Sequence, residues 1–275
     1  KAALMPLHGW LPNAMVAPAP VSALLHAVAV VKAGVFTVLK VSAYIFGPEL
    51  ISSLTAAHWV LWVTAFTIVF ASLVAVAKDD LKARLAWSTV GQLAYITSAA
   101  MLPMASGLVA GGLHMVFHAV AKITLFMCAG AIYVATGAQR VSEMGGLGRR
   151  MPWVFVAFMV AGFAIVGLPP MASMWSKYLL MSASIGGGEW LTAIALIASS
   201  LMSIVYLATV SFRALFPPIG DVPPRDFVRP GGTPGTALVA LCFTAAASIA
   251  LFVLADPIAN YLAPIAAMTF MEPAP

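Results

Sequence analysis

The chain has 275 residues, 62% of them hydrophobic and only 8% charged, with a mean hydropathy of +1.01. Soluble domains carry about 25% charged residues, so this composition excludes a soluble globular domain and defines an integral membrane protein. The net charge of +5 is spread along the chain rather than gathered in a patch, which excludes a nucleic-acid surface.

The short alternating segments of a membrane barrel are absent, so the expected fold class is all-α, a polytopic bundle of membrane helices. Residues 1–5 read as the end of a span. The chain is therefore expected to be a fragment lacking its N-terminal part, forming one transmembrane domain over 1–275. A proline-rich loop follows, with Pro6, Pro12, Pro18 and Pro20 as helix breakers. Seven spans are predicted after it, at about 20–46, 57–77, 84–103, 107–135, 153–185, 190–214 and 235–262. The fifth is interrupted by Gly167-Leu168-Pro169-Pro170, which should open the backbone in mid-membrane as broken helices of transporters do.

Basic residues fix the expected orientation. Lys78, Lys82 and Arg84 precede the third span, Arg140, Arg149 and Arg150 the fifth, and Arg213, Arg225 and Arg229 the seventh. The alternate connections, near 47–56, 104–106 and 186–189, hold no Lys or Arg. The positive-inside rule then makes the basic side cytoplasmic.

The span 107–135 carries the densest chemistry. It holds no acidic residue, yet it contains His114, His118 and Lys122. At i, i+4 and i+8 these form one nearly axial row on a helix. Such groups near mid-membrane cost several kcal/mol unless they face a polar interior. Snorkelling to a surface is open to side chains near helix ends, but Lys122 lies too deep. Lys1, Lys32, Lys40 and Lys177 also fall inside spans. A lysine can give up its proton under burial, whereas an arginine stays charged. Lys32, Lys122 and Lys177 at similar depth imply a lateral hydrophilic track, with histidines relaying protons between them. Lys40, nearer the outer end, fits either the track or snorkelling. His26 fits either a relay between helices or a packed histidine. His8 and His58 read as interfacial. Ser88 and Gln92 read as helix–helix hydrogen bonding rather than chemistry. Cys128 and Cys242 sit in apolar spans and imply neither a disulfide nor a metal. No metal-ligand spacing, nucleotide loop or nucleophile elbow occurs, so no cofactor, metal or catalytic centre is expected.

The segments LMPLHGWLPNAMVAPAPVSALLHAVAVVKAGVF, DDLKARLAWSTVGQLAYI, HMVFHAVAKITLFMCAGAIYVATG, GGLGRRMP and GLPPMASMWSKYLL resemble the antiporter-like subunit family over roughly residues 1–185. That family includes the large membrane-arm subunits of respiratory complex I and the A-type and D-type subunits of Mrp multisubunit cation/proton antiporters. KITLFMCAGAIYVATG with GLGRRMPW is most similar to the D-type Mrp group. The resemblance implies the C-terminal part of an antiporter-like fold with broken helices. It assigns Lys1 to the first broken helix, His26 and Lys32 to the linking helix, His114, His118 and Lys122 to the central relay, and Lys177 to the second broken helix. The implied partners are other membrane subunits, the lipid bilayer, protons and a monovalent cation, in a bacterial inner membrane. Two functions follow as expectations: proton-coupled antiport of Na⁺ or K⁺, or proton pumping as a non-redox subunit of a complex I-type NADH:quinone oxidoreductase or related hydrogenase complex. A lipid-facing scaffold with vestigial lysines is the third reading.

Overall fold

The structure, a computed structural model, describes residues 1–217 and 232–270. Arg225 and Arg229 lie outside the described residues, as does the side chain of His26. Residues 1–9 form no helix, in contrast to the span end expected there. Pro6 removes a backbone donor at the point where a helix would need one. The first helical turn is Trp10–Asn13 (α1). Ala19–Phe46 (α2) then runs for 28 residues, loosened into π-helical turns at Ser22–Ala29 and Ser42–Phe46. Gly47–Ser53 (α3) is helical where the sequence reads as a connection, with a proline at its first turn.

Thr55–Ala77 (α4), Leu81–Met101 (α5) and Ala105–Thr136 (α6) follow. The Asp80 carboxylate caps α5 by accepting from the Ala83 amide at 2.7 Å, and left-handed Gly137 closes α6. After the short turn Leu147–Arg150 (α7) come Pro152–Val166 (α8) and Ser173–Gly186 (α9), then Trp190–Leu215 (α10). The predicted interruption of the fifth span is present: α8 stops at Gly167, φ 86°, and α9 begins six residues later at Ser173. The seventh span ends earlier than expected. Gly235–Val253 (α11) stops there, and a separate helix runs over Ala255–Phe270 (α12). Pro257 explains the stop, because it has no N–H for the Val253 carbonyl and its ring crowds that oxygen.

α2, α4, α6, α10 and α11 are long and apolar enough to cross a membrane. α6 is the hub, packed by α2, α5, α8, α9, α11 and α12. α5 is enclosed by α2, α4, α6 and α10, and every residue from Ser88 to Ala100 is buried. A Cβ added at Gly130 of α6 would lie 2.6 Å from the Ala19 Cβ of α2. Only glycine permits that approach.

The connections sort to two ends. At one, the Leu81 amide donates to the Gln139 carbonyl (2.9 Å), Val141 to Asp79 (2.8 Å) and Gly146 to Phe216 (2.7 Å). The basic residues around 78–84, 140–150 and 213 therefore share a face. At the other, His58 pairs with Glu189 at 2.7 Å, and Gly187 packs against Pro103.

Candidate functional site

Three helices, α2, α5 and α9, converge on the row that α6 presents. His114, His118 and Lys122 are all fully buried, and Lys32 of α2 is 9% exposed. The Lys32 ammonium hydrogen-bonds His118 Nδ1. The His118 and His114 rings stack with centroids 5.9 Å apart. His114 is held on both nitrogens: Nε2 donates to Gln92 Oε1 of α5 at 3.0 Å, and Nδ1 lies 3.0 Å from Ser176 Oγ of α9. Tyr95 of α5 stacks on His114 at 5.3 Å. The Lys177 ammonium sits over the Tyr95 ring, 5.3 Å from its centre.

Lys177 is half-buried and anchors into the helix break. Its Nζ donates to the Val166 carbonyl at 2.9 Å and to Ser200 Oγ of α10 at 3.0 Å. Val166 is the last residue of α8, so its carbonyl has lost the helical partner that a continuous span would supply. The break thus creates an acceptor where a cation is held.

Lys122 has a separate set of partners. Its Nζ donates to the Leu85 carbonyl (3.1 Å) and Ser88 Oγ (2.8 Å) of α5. Ser88 Oγ lies 2.7 Å from the buried Tyr206 hydroxyl of α10, and the Tyr206 carbonyl accepts from Arg84 at 2.9 Å. Lys122, Ser88 and the Tyr206 hydroxyl are thus hydrogen-bonded in series, and the Tyr206 backbone is tied to Arg84. Among the described residues, the hydrogen-bond partners of Lys32, Lys122 and Lys177 include no carboxylate. A buried ammonium without a carboxylate partner among the described residues is in a costly position for a fixed charge. A proton that comes and goes suits it better.

The structure brings together His114, His118 and Lys32, with Lys177 one aromatic ring away. It places Lys122 on the same helix face but hydrogen-bonds it to α5 rather than to His118. Lys1 is exposed, with its backbone packed on Gly34 of α2, and does not join the row. Lys40 is exposed near the outer end of α2. Gly167, Pro169 and Pro170 form the break itself. Ser88 and Gln92 do bridge helices, as expected, but their partners are Lys122 and His114. Ser176, Ser200, Tyr95 and Tyr206 were not singled out from the sequence. Ser199, Ser203 and Tyr206, at i, i+4 and i+7, give a polar stripe on α10 that pointed to a partner across the bundle.

A membrane-helix bundle with an interrupted helix beside buried ionisable groups is the architecture of broken-helix transporters. Residues 1–203 match the family described as NADH:quinone oxidoreductase/Mrp antiporter, TM, and the chain belongs to it. It is 37% identical over 218 residues to NADH-quinone oxidoreductase subunit N of Desulforudis audaxviator, covering 76% of this chain and 42% of that protein. The fold is similar to a chain of the Mrp complex from Dietzia sp. DQ12-45-1b, with a TM-score of 0.87 and 24% identity over 98% of this chain and 57% of that one. It is also similar to a chain of respiratory complex I from Thermus thermophilus, with a TM-score of 0.74 and 26% identity over 95% and 56%. The chain spans less than half the length of the curated relative it matches.

Proposed function

We propose that the chain conducts protons laterally between Lys32 and Lys177 through His118 and His114, with Lys122 feeding the row from the basic face. The observation that carries this reading is the cluster of Lys32, His118 and His114 with Lys177 one aromatic ring away and Lys122 on the same helix, none of them hydrogen-bonded to a carboxylate among the described residues. One proton in the row then electrostatically expels the next, since like charges in a dry interior repel strongly. The setting we favour is a multisubunit antiporter exchanging protons for Na⁺ or K⁺ across a bacterial inner membrane, supported by the resemblance of KITLFMCAGAIYVATG and GLGRRMPW to the D-type Mrp group. The membrane potential supplies about 2.3 kcal/mol per charge per 100 mV. The identity to a NADH-quinone oxidoreductase subunit favours a second reading, a proton-pumping subunit driven by redox chemistry elsewhere in a complex.

Everted vesicles containing the complete complex separate the two. With a pH gradient set by an ATP-driven pump and no redox substrate, added Na⁺ or K⁺ should dissipate the gradient. Proton movement that ignores both cations and requires NADH and quinone assigns the second reading. Absence of proton movement under both regimes refutes conduction.

A further inference from the structure

His114 and His118 are equally buried but differently served. His118 Nδ1 meets Lys32, while its Nε2 is buried with no hydrogen-bond partner. His114 has a partner on each nitrogen, and one of them has a choice. Ser176 Oγ lies 3.0 Å from His114 Nδ1 and 3.1 Å from the Ser173 carbonyl of its own helix. A serine hydroxyl has one hydrogen and two lone pairs, and it rotates to suit its neighbours. It cannot donate to both acceptors at once.

We propose that Ser176 is the positioning residue that lets His114 gain and lose a proton while fully buried. This rests on the proton-path reading above. The Gln92 carbonyl can only accept, so it fixes the hydrogen of the neutral ring on Nε2 and leaves the Nδ1 lone pair toward Ser176. In that state the Ser176 hydroxyl donates to Nδ1. When a proton from the row binds Nδ1, the hydroxyl turns to the Ser173 carbonyl and accepts from Nδ1–H through its oxygen. Each state leaves no buried polar atom of the ring or the hydroxyl unpaired, which is what keeps both accessible. In the charged state the added proton resides on Nδ1, and Ser176 bears one hydrogen in both states. Ser176 also precedes Lys177 on α9. The charge on α6 and the segment bearing the last lysine therefore share one hydrogen bond.

The test compares Ser176→Ala and Ser176→Thr in the assembled complex, reading proton flux in vesicles together with complex yield. Alanine removes the acceptor of Nδ1–H, and flux should fall about tenfold or more. Threonine keeps a hydroxyl able to bond the carbonyl three residues back, and flux should stay within about threefold of the unmodified protein. Alanine flux near normal, or equal losses in both variants, overturns the positioning role. If Ser176→Ala is active while His114→Ala is inactive, only this proposal falls. If both are active, the path reading falls with it. Should Ser176→Ala assemble poorly, ¹⁵N-histidine spectra of the unmodified complex decide. The neutral ring of His114 is expected to carry its hydrogen on Nε2, and a hydrogen on Nδ1 overturns the proposal.

Discussion

Replacing Lys122 with methionine separates function from folding at the centre of the bundle. The Lys122 side chain is fully buried and donates two hydrogen bonds, to Leu85 O and Ser88 Oγ. Each contributes roughly 0.5–1.5 kcal/mol net from a neutral amine and about 1.5–3 kcal/mol from an ammonium. Removing them strands nothing: the Leu85 carbonyl still accepts from Thr89 Oγ1 at 2.9 Å, and Ser88 keeps Tyr206. Methionine is close to lysine in length and flexibility, and volume-conserving core changes usually cost less than about 1.5 kcal/mol. Against these losses stands relief of the desolvation of an unpaired ammonium, several kcal/mol per ion. The sum is near zero or favourable. Lys122→Met should assemble in full yield and melt at or above the normal temperature, yet carry no protons. Lys122→Ala should also be inactive but less stable by about 2–5 kcal/mol, because it leaves a cavity. Complex yield, thermal melting in detergent and vesicle proton flux are measured on the same preparations. Normal flux from well-assembled Lys122→Met refutes the relay. A methionine variant as unstable as the alanine variant refutes the accounting of its burial.

At Lys177, arginine keeps a charge that does not leave at working pH. Flux should drop by more than about tenfold with assembly retained, and near-normal flux would make Lys177 a simple anchor on Val166 and Ser200. Gly167→Ala tests the break: a Cβ there is strained by φ +86° and meets the Lys177 Cδ at 3.0 Å. The melting temperature should fall by an amount matching roughly 1–3 kcal/mol, and an unchanged melt removes the strain argument.

The row on α6 was legible because helical periodicity alone places His114, His118 and Lys122 on one face. The break at Gly167–Pro170 was legible because Pro and Gly have local consequences. The contact order was not. Which lysine meets which histidine depends on how α2, α5 and α9 pack on α6, and no spacing within one helix encodes that. So Lys32 rather than Lys122 reaches His118, and Ser176 carries no mark of its own beside the more conspicuous Lys177. The end of α11 was misread for a different reason. Pro257 stops the helix four residues upstream, at Val253, and apolar residues resume past Asp256 and Pro257, so the run reads as one span.

α5 shows a further consequence of how the bundle is layered. It is 21 residues long but is not among the five helices of the described residues that are apolar enough to cross a membrane alone. Lys82, Arg84, Ser88, Thr89, Gln92, Thr97 and Ser98 make it a poor guest for lipid, and its neighbours rather than the bilayer solvate it. During synthesis it can be retained in the membrane only in company, held by α4 before it and by α6 as that helix emerges. Loosening the α4–α5 contact should therefore appear first as failed insertion, with degradation of the nascent chain, and only secondarily as lost transport.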